Sequence, residues 1–174
     1  MKKNIFSLKA LILISITTFF ILSCRTNSNL VTFSQKEGNL IFIKPVEIKN
    51  SAVPLFSIDF TASIKDGNII NTSSLKYSIA ENNISRKFLE DLSVEIIYGD
   101  NNIGLSHKTL YIENYKKTGI KIRFESELSP DEAMAIINTE EPLLFHIFND
   151  DNSFSKTIPL KKFKDELNTI RIYF

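Results

Sequence analysis

FSIDFTASI, residues 56–64, alternates apolar and polar side chains without a break. Phe56, Ile58, Phe60, Ala62 and Ile64 fall on one face of an extended chain. Ser57, Asp59, Thr61 and Ser63 fall on the other. A period of two is the mark of a strand with one buried and one wet face. The reading places Phe60 in a core and Asp59 in solvent. Asp66-Gly67 follows at once and is a hairpin-turn dipeptide.

The same pattern recurs along the chain. Leu92, Val94, Ile96 and Tyr98 alternate with Ser93 and Glu95 before the turn residues 99–102 (GDNN). Ile120, Ile122 and Phe124 oppose Lys121, Arg123 and Glu125. Residues 143–148 (LLFHIF) are apolar on both faces and read as a central strand, with 154–160 as its return. A short strand is expected at 75–79. Residues 40–48 are strand-like, but Pro45 lacks an N–H, which suits an edge or a bulge. Residues 103–112 change phase near His107-Lys108, so they form either a bulged strand or two pieces. Ile170, Ile172 and Phe174 read as a last strand.

Helical signals are few. Ser129-Pro130-Asp131-Glu132 carries a capping residue, a first-turn proline and a capping-box glutamate, ahead of Ala133, Met134, Ile136 and Ile137. Residues 84–91 form a second candidate, with Ile84 and Phe88 four apart. A turn of helix at 160–167 would place Phe163 and Leu167 on one side. The expected fold is all-β, with one or two short helices in an antiparallel two-sheet β-sandwich. An immunoglobulin-like arrangement is one candidate topology. The chain has no Trp and a single Cys, so the antibody-type disulfide and tryptophan are absent.

The N-terminus is built differently. Lys2, Lys3 and Lys9 precede the apolar run ALILISITTFFIL at 10–22. That run is shorter than the roughly 20 residues a spanning helix needs, and the layout is that of a secretory signal. The only cysteine, Cys24, follows Ile21, Leu22 and Ser23. This stretch resembles the lipobox of bacterial lipoproteins, with Leu22 standing where a small residue is usual. Relaxed versions of this kind, and the Ile/Lys/Asn/Phe-rich composition, are similar to spirochaetal lipoproteins. The resemblance covers residues 1–24. It implies diacylglyceryl transfer to the Cys24 thiol, cleavage after Ser23 and an acyl chain such as palmitate on the new N-terminus. The expected organisation is a signal peptide at 1–23, a lipidated N-terminus and flexible tether at 24–39, and one β-rich domain at 40–174; the alternative is a first edge strand at Val31 and Phe33, which would shorten the tether.

Charge and composition narrow the function. The full chain carries a net charge of +1, and without residues 1–23 it keeps 18 basic and 20 acidic residues. A balance near zero disfavours adhesion to nucleic acid by bulk charge. No cofactor is implied: one Cys excludes a cysteine zinc site, and 5 Gly in 174 residues leave no glycine-rich phosphate cradle. His146, inside an apolar strand, is expected to be a core or edge-facing residue with one hydrogen bond. His107, at the phase break, is expected on the surface. Ser106 and His107 are neighbours on a strand, point to opposite faces and make no dyad. No catalytic residue and no metal ligand is assigned. The acidic stretch 149–152 lacks the glycine of a calcium-binding EF-hand loop and reads as a hairpin.

The expectation is therefore a non-catalytic, monomeric binding module. It is held by lipid at Cys24 to a membrane, the outer membrane being favoured, and meets a host or envelope protein. Candidate binding loops are 66–74, 98–102, 114–118 and 149–153. Three alternatives are a periplasmic assembly or structural factor, an enzyme and a small outer-membrane β-barrel. The barrel reading rests on residues 169–174, which resemble the C-terminal signal strand of such barrels.

Overall fold

The computed structural model describes residues 29–49, 53–82, 91–149 and 154–174. Among the described residues, eleven antiparallel strands form two open sheets. The larger runs β1 (Leu30–Gln35), β2 (Gly38–Ile48), β3 (Leu55–Lys65), β5 (Ser73–Asn82), β9 (Gly119–Leu128) and β8 (His107–Tyr115). The short β4 (Asn68–Ile69) folds back on β3. The smaller sheet runs β11 (Ser155–Pro159), β10 (Leu143–Phe148), β6 (Ser93–Tyr98) and β7 (Asn101–Gly104).

The orders β3-β5-β9-β8 and β11-β10-β6-β7 are those of strands A-B-E-D and G-F-C-C′ of an immunoglobulin sandwich. The fold is therefore an immunoglobulin-like β-sandwich carrying three extra strands on the A-strand side, β1 and β2 beside it and the short β4 folded onto it. Antibody domains join strands B and F by a disulfide. Here aromatic contacts span the same gap: Tyr77 of β5 meets Phe145 of β10 at 4.8 Å between ring centroids, and Phe56 of β3 lies 4.8 Å from the same ring.

The alternating residues become the core as their period requires. Phe56, Ile58, Phe60, Ala62 and Ile64 are all buried, as are Val94, Ile96, Ile122, Phe124 and Ile147. Asp66 and Gly67 both take positive φ, 50° and 74°, in a two-residue turn. Asp59 departs from expectation. Its side chain points away from the core, but it is only 1% exposed, because Arg123 and Ser78 of the next strands close over that face.

The phase change at 103–112 is a change of sheet: β7 ends at Gly104 in the small sheet and β8 starts at His107 in the large one. Pro45 sits in a bulge, where β2 advances from Ile43 to Val46 while β3 advances only from Phe60 to Ile58.

Two boundaries move. Residues 30–35 pair with β2 from Leu30↔Ile43 to Gln35↔Gly38, so much of the expected tether at 24–39 is an edge strand, and the folded unit begins before residue 40. The C-terminus is helical: α2 (Lys161–Ile170) and a 3-10 turn (Arg171–Tyr173) replace the expected last strand. Phe163, Leu167 and Ile170 share one helical face and are all buried, a spacing that outweighs the two-residue alternation of Ile170, Ile172 and Phe174. With two open sheets and a helical end, the described residues form a sandwich and not a closed barrel.

α1 (Pro130–Asn138) begins with the expected capping box at Ser129 and Glu132. Its other end is capped from α2 and the turn that follows it: the Lys164 ammonium donates to the carbonyls of Ile136 and Ile137 at 3.2 and 3.1 Å, and Arg171 Nε donates to Ile137 at 2.9 Å. Cations at that end also suit the helix dipole. The large sheet is wider than the small one, and α2 packs on β1 and β2 beyond it. The helix expected at 84–91 lies outside the described residues, apart from Asp91 at its end.

Candidate functional site

β10 is the central strand of its trio, and its alternation places Leu143, Phe145 and Ile147 inward and Leu144, His146 and Phe148 outward. The outer face is thus half-buried and not covered as the sequence suggested. On it, His146 stands opposite Glu95 of β6 and diagonal to Ser155 of β11. Its Nδ1 lies 2.8 Å from Glu95 Oε1 and its Nε2 2.9 Å from Ser155 Oγ. Asn102 Nδ2 donates to the second Glu95 oxygen at 2.6 Å. The His146 ring stacks on Phe148, with centroids 4.9 Å apart and planes at 28°. The bonds from His146 and Asn102 hold the Glu95 carboxyl below its ordinary pKa.

Gly104 pairs with Glu95 across β6 and β7, and a side chain there would meet open space. A cleft of about 460 Å³ opens at this point, lined by Leu92, Glu95, Gly104, Ser106, His107 and Phe148 among others. Ser155, His146 and Glu95 are bonded in the order of a nucleophile, a base and an orienting carboxylate. Ser155, however, is exposed on the sheet surface and does not line the cleft. An acyl-transfer site needs its nucleophile inside the pocket that holds the substrate. The cluster instead fixes a flat imidazole–phenyl platform beside a carboxylate.

His107 is half-buried at the sheet crossing and not the surface residue expected. Its Nδ1 is fully buried without a protein partner among the described residues, as are the hydroxyls of Tyr77, Ser126 and Ser73. Burial pushes the His107 imidazole below its ordinary pKa and so favours the neutral ring. Its ring lies 4.6 Å from Phe124.

The candidate loops divide between the two ends of the sandwich. Strand pairing places the turns at 66–67 and 99–100 at one end, and the turn at 116–118 at the other. Of the loop 149–153, only Asn149 is described, so the calcium candidate at 149–152 lies outside the described residues except for that side chain. Asn149 Oδ1 accepts from the Phe154 backbone N–H at 2.9 Å, as a hairpin loop requires. Among the described residues no group of three His, Cys, Asp or Glu is placed to hold a metal. Cys24 precedes the described chain. Sequence reading missed the Glu95–His146–Ser155 cluster. The signal was a histidine on a strand whose pairing partners were unknown.

No protein-family model matches the chain, and no curated protein matches it in sequence. Among solved structures, a chain of the human pre-T cell receptor is similar at 13% identity and a TM-score of 0.33, covering 74% of this chain and 96% of that one. A likeness of that size carries no argument, and the fold assignment stands on strand order and register.

Proposed function

We propose that the chain is a lipid-anchored lipoprotein of a bacterial cell envelope whose immunoglobulin-like domain is a non-catalytic binding module. One observation carries the anchor: the only cysteine stands at position 24, behind Ile21, Leu22 and Ser23 and a short apolar run. Several acyl chains hold a protein on a bilayer where a single one does not. The binding reading is supported by the His146–Phe148 platform and its cleft. The partner is a protein of the envelope or of a host. The outer membrane is the favoured site, with exposure to the surface or to the periplasm both open to the fold.

A second reading has its own observation. β8 is an edge strand of nine residues with Leu110 and Tyr111 40% and 43% exposed. Such an edge suits strand addition to a partner in a periplasmic assembly role. The bulge at Leu110 blunts it, so the binding-face reading is preferred.

Metabolic labelling of cells with a fatty-acid probe tests the anchor. Wild-type protein takes up label and Cys24→Ala does not; equal labelling overturns the proposal. A photo-crosslinking residue at Phe148 tests the face. It yields a discrete adduct on intact cells, where the same residue at Lys117 does not.

A further inference from the structure

The outward face of β1 and β2 is apolar where the outward face of β3, β5 and β9 is polar. Val31 stands opposite Phe42, and Phe33 opposite Leu40. Inward residues of the same strands are accounted for: Ile41 and Ile43 are fully buried, Leu30 packs on the core, and Thr32 shares a hydrogen bond of 2.9 Å with the Tyr173 hydroxyl. Val31, Phe33, Leu40 and Phe42 therefore form one contiguous patch facing away from the core. Phe33 is 54% exposed and the other three are partly exposed.

The position of the patch points to its occupant. Asn29 is pinned, with its carbonyl accepting from Lys44 N–H at 2.8 Å and its side chain donating to Glu166 at 2.6 Å. Only residues 25–28, Arg-Thr-Asn-Ser, separate it from Cys24. Five residue steps reach at most about 18 Å even when fully extended. An acylated Cys24 therefore keeps the β1 edge within a short reach of the bilayer surface.

We infer that this patch of β1 and β2 lies against the lipid surface, so that the domain is held by that margin of the large sheet and not free on a tether. The inference rests on the lipid-anchor reading above. Phenyl and aliphatic side chains at the headgroup boundary add apolar burial to the acyl chains. The opposite edge of the large sheet, β8, is the part of that sheet farthest from the patch. It lies five strand spacings from β1, about 24 Å.

The test uses the full-length lipoprotein reconstituted in phosphatidylcholine–phosphatidylglycerol vesicles containing a nitroxide-labelled lipid. An acylated Cys24 leaves no other thiol, so single cysteines can carry a fluorophore. Gln35→Cys reports on the patch face and Lys117→Cys on the far edge. The label at Gln35 is expected to be quenched several-fold more than that at Lys117. Phe33→Ser combined with Leu40→Ser should bring it down to the Lys117 level while the protein stays on the vesicles. Equal quenching at both positions overturns the inference, as does quenching at Gln35 that survives the double substitution. Self-crosslinking between Gln35→Cys copies with no lipid quenching would assign the patch to a second copy and also overturn it. Failure of the anchor itself reads differently: the parent protein then labels at Cys24 and leaves the vesicles.

Discussion

Arg123 reaches from β9 across β5 and closes its guanidinium on the buried carboxylate of Asp59, with Ser78 Oγ 3.1 Å from its other arm. Burial pushes the Asp59 carboxyl above its ordinary pKa, and the guanidinium partly offsets that rise. The two partners are unequal. Arg123 keeps some exposure and can turn to water, while the Asp59 side chain cannot. Arg123→Met should therefore cost about 3 kcal/mol, because it strands a buried charge. Asp59→Asn should cost less, about 1 to 2 kcal/mol. A raised carboxyl pKa means that stability is lost as pH rises from the unfolded value of 3.8 through the folded one. The Arg123→Met deficit, read from urea midpoints, should grow from pH 4 to pH 7. A flat deficit would mean that Asp59 is not the group left unpaired.

Glu125 behaves in the opposite sense. Lys108 at 2.8 Å, Ser74 at 2.8 Å and Lys76 at 3.3 Å hold its carboxyl down to about 2 from 4.5. The unfolded chain then binds more protons between those values, so stability is complete above pH 4.5 and falls as pH drops toward 2. The cluster lies at the surface, so the loss should be about 1 kcal/mol. Urea titrations at pH 5 and pH 2.5 should show that slope in the wild type and a shallower one in Glu125→Gln. Equal slopes would remove Glu125 from the network.

At α1, Ser129 Oγ accepts from Glu132 N–H at 3.3 Å, and Glu132 accepts from Ser129 N–H at 2.8 Å. Ser129→Ala should lower stability by about 1 kcal/mol, and Ser129→Asp should restore most of it by keeping an acceptor. Lys164 and Arg171 hold the far end, so helix content by circular dichroism should stay constant in both variants. A drop in helicity with Ser129→Ala would show that the cap, not the packing against α2, holds the helix.

Where local pattern and tertiary burial agreed, the residues themselves announced the fold. The strand at 56–64, the Asp66-Gly67 turn and the Ser129 capping box are fixed by neighbours in sequence. Asp59 was legible in direction but not in environment, since its cover comes from residues 19 and 64 positions away. His146 was illegible for the same reason: Glu95 lies 51 positions off, and only strand pairing brings the two together. The C-terminus misled because Ile170, Ile172 and Phe174 alternate, while the burial that decides the helix comes from Phe163 and Leu167 against β2. β1 was legible only as an alternative, through Val31 and Phe33, because its polar residues, which an edge strand tolerates, break the pattern.

The last prediction concerns Tyr77, whose ring is fully buried between Phe124 and Phe145 and whose hydroxyl, although close to that of Ser126, makes no hydrogen bond of good geometry among the described residues. Burial pushes the phenol well above its ordinary pKa, so it remains protonated. Ring and hydroxyl therefore oppose each other. The ring supplies the contact that joins the two sheets, and an unpaired buried hydroxyl costs about 1 to 3 kcal/mol. Tyr77→Phe keeps the first and removes the second, so it should raise stability by up to about 1 kcal/mol. Phe145→Ala removes the opposite side of the same contact and should cost about 3 to 5 kcal/mol. Urea midpoints of both variants decide the matter. A loss of stability in Tyr77→Phe would show that the hydroxyl is bonded after all, with a bridging water among Tyr77, Ser126 and His107 as the partner to seek.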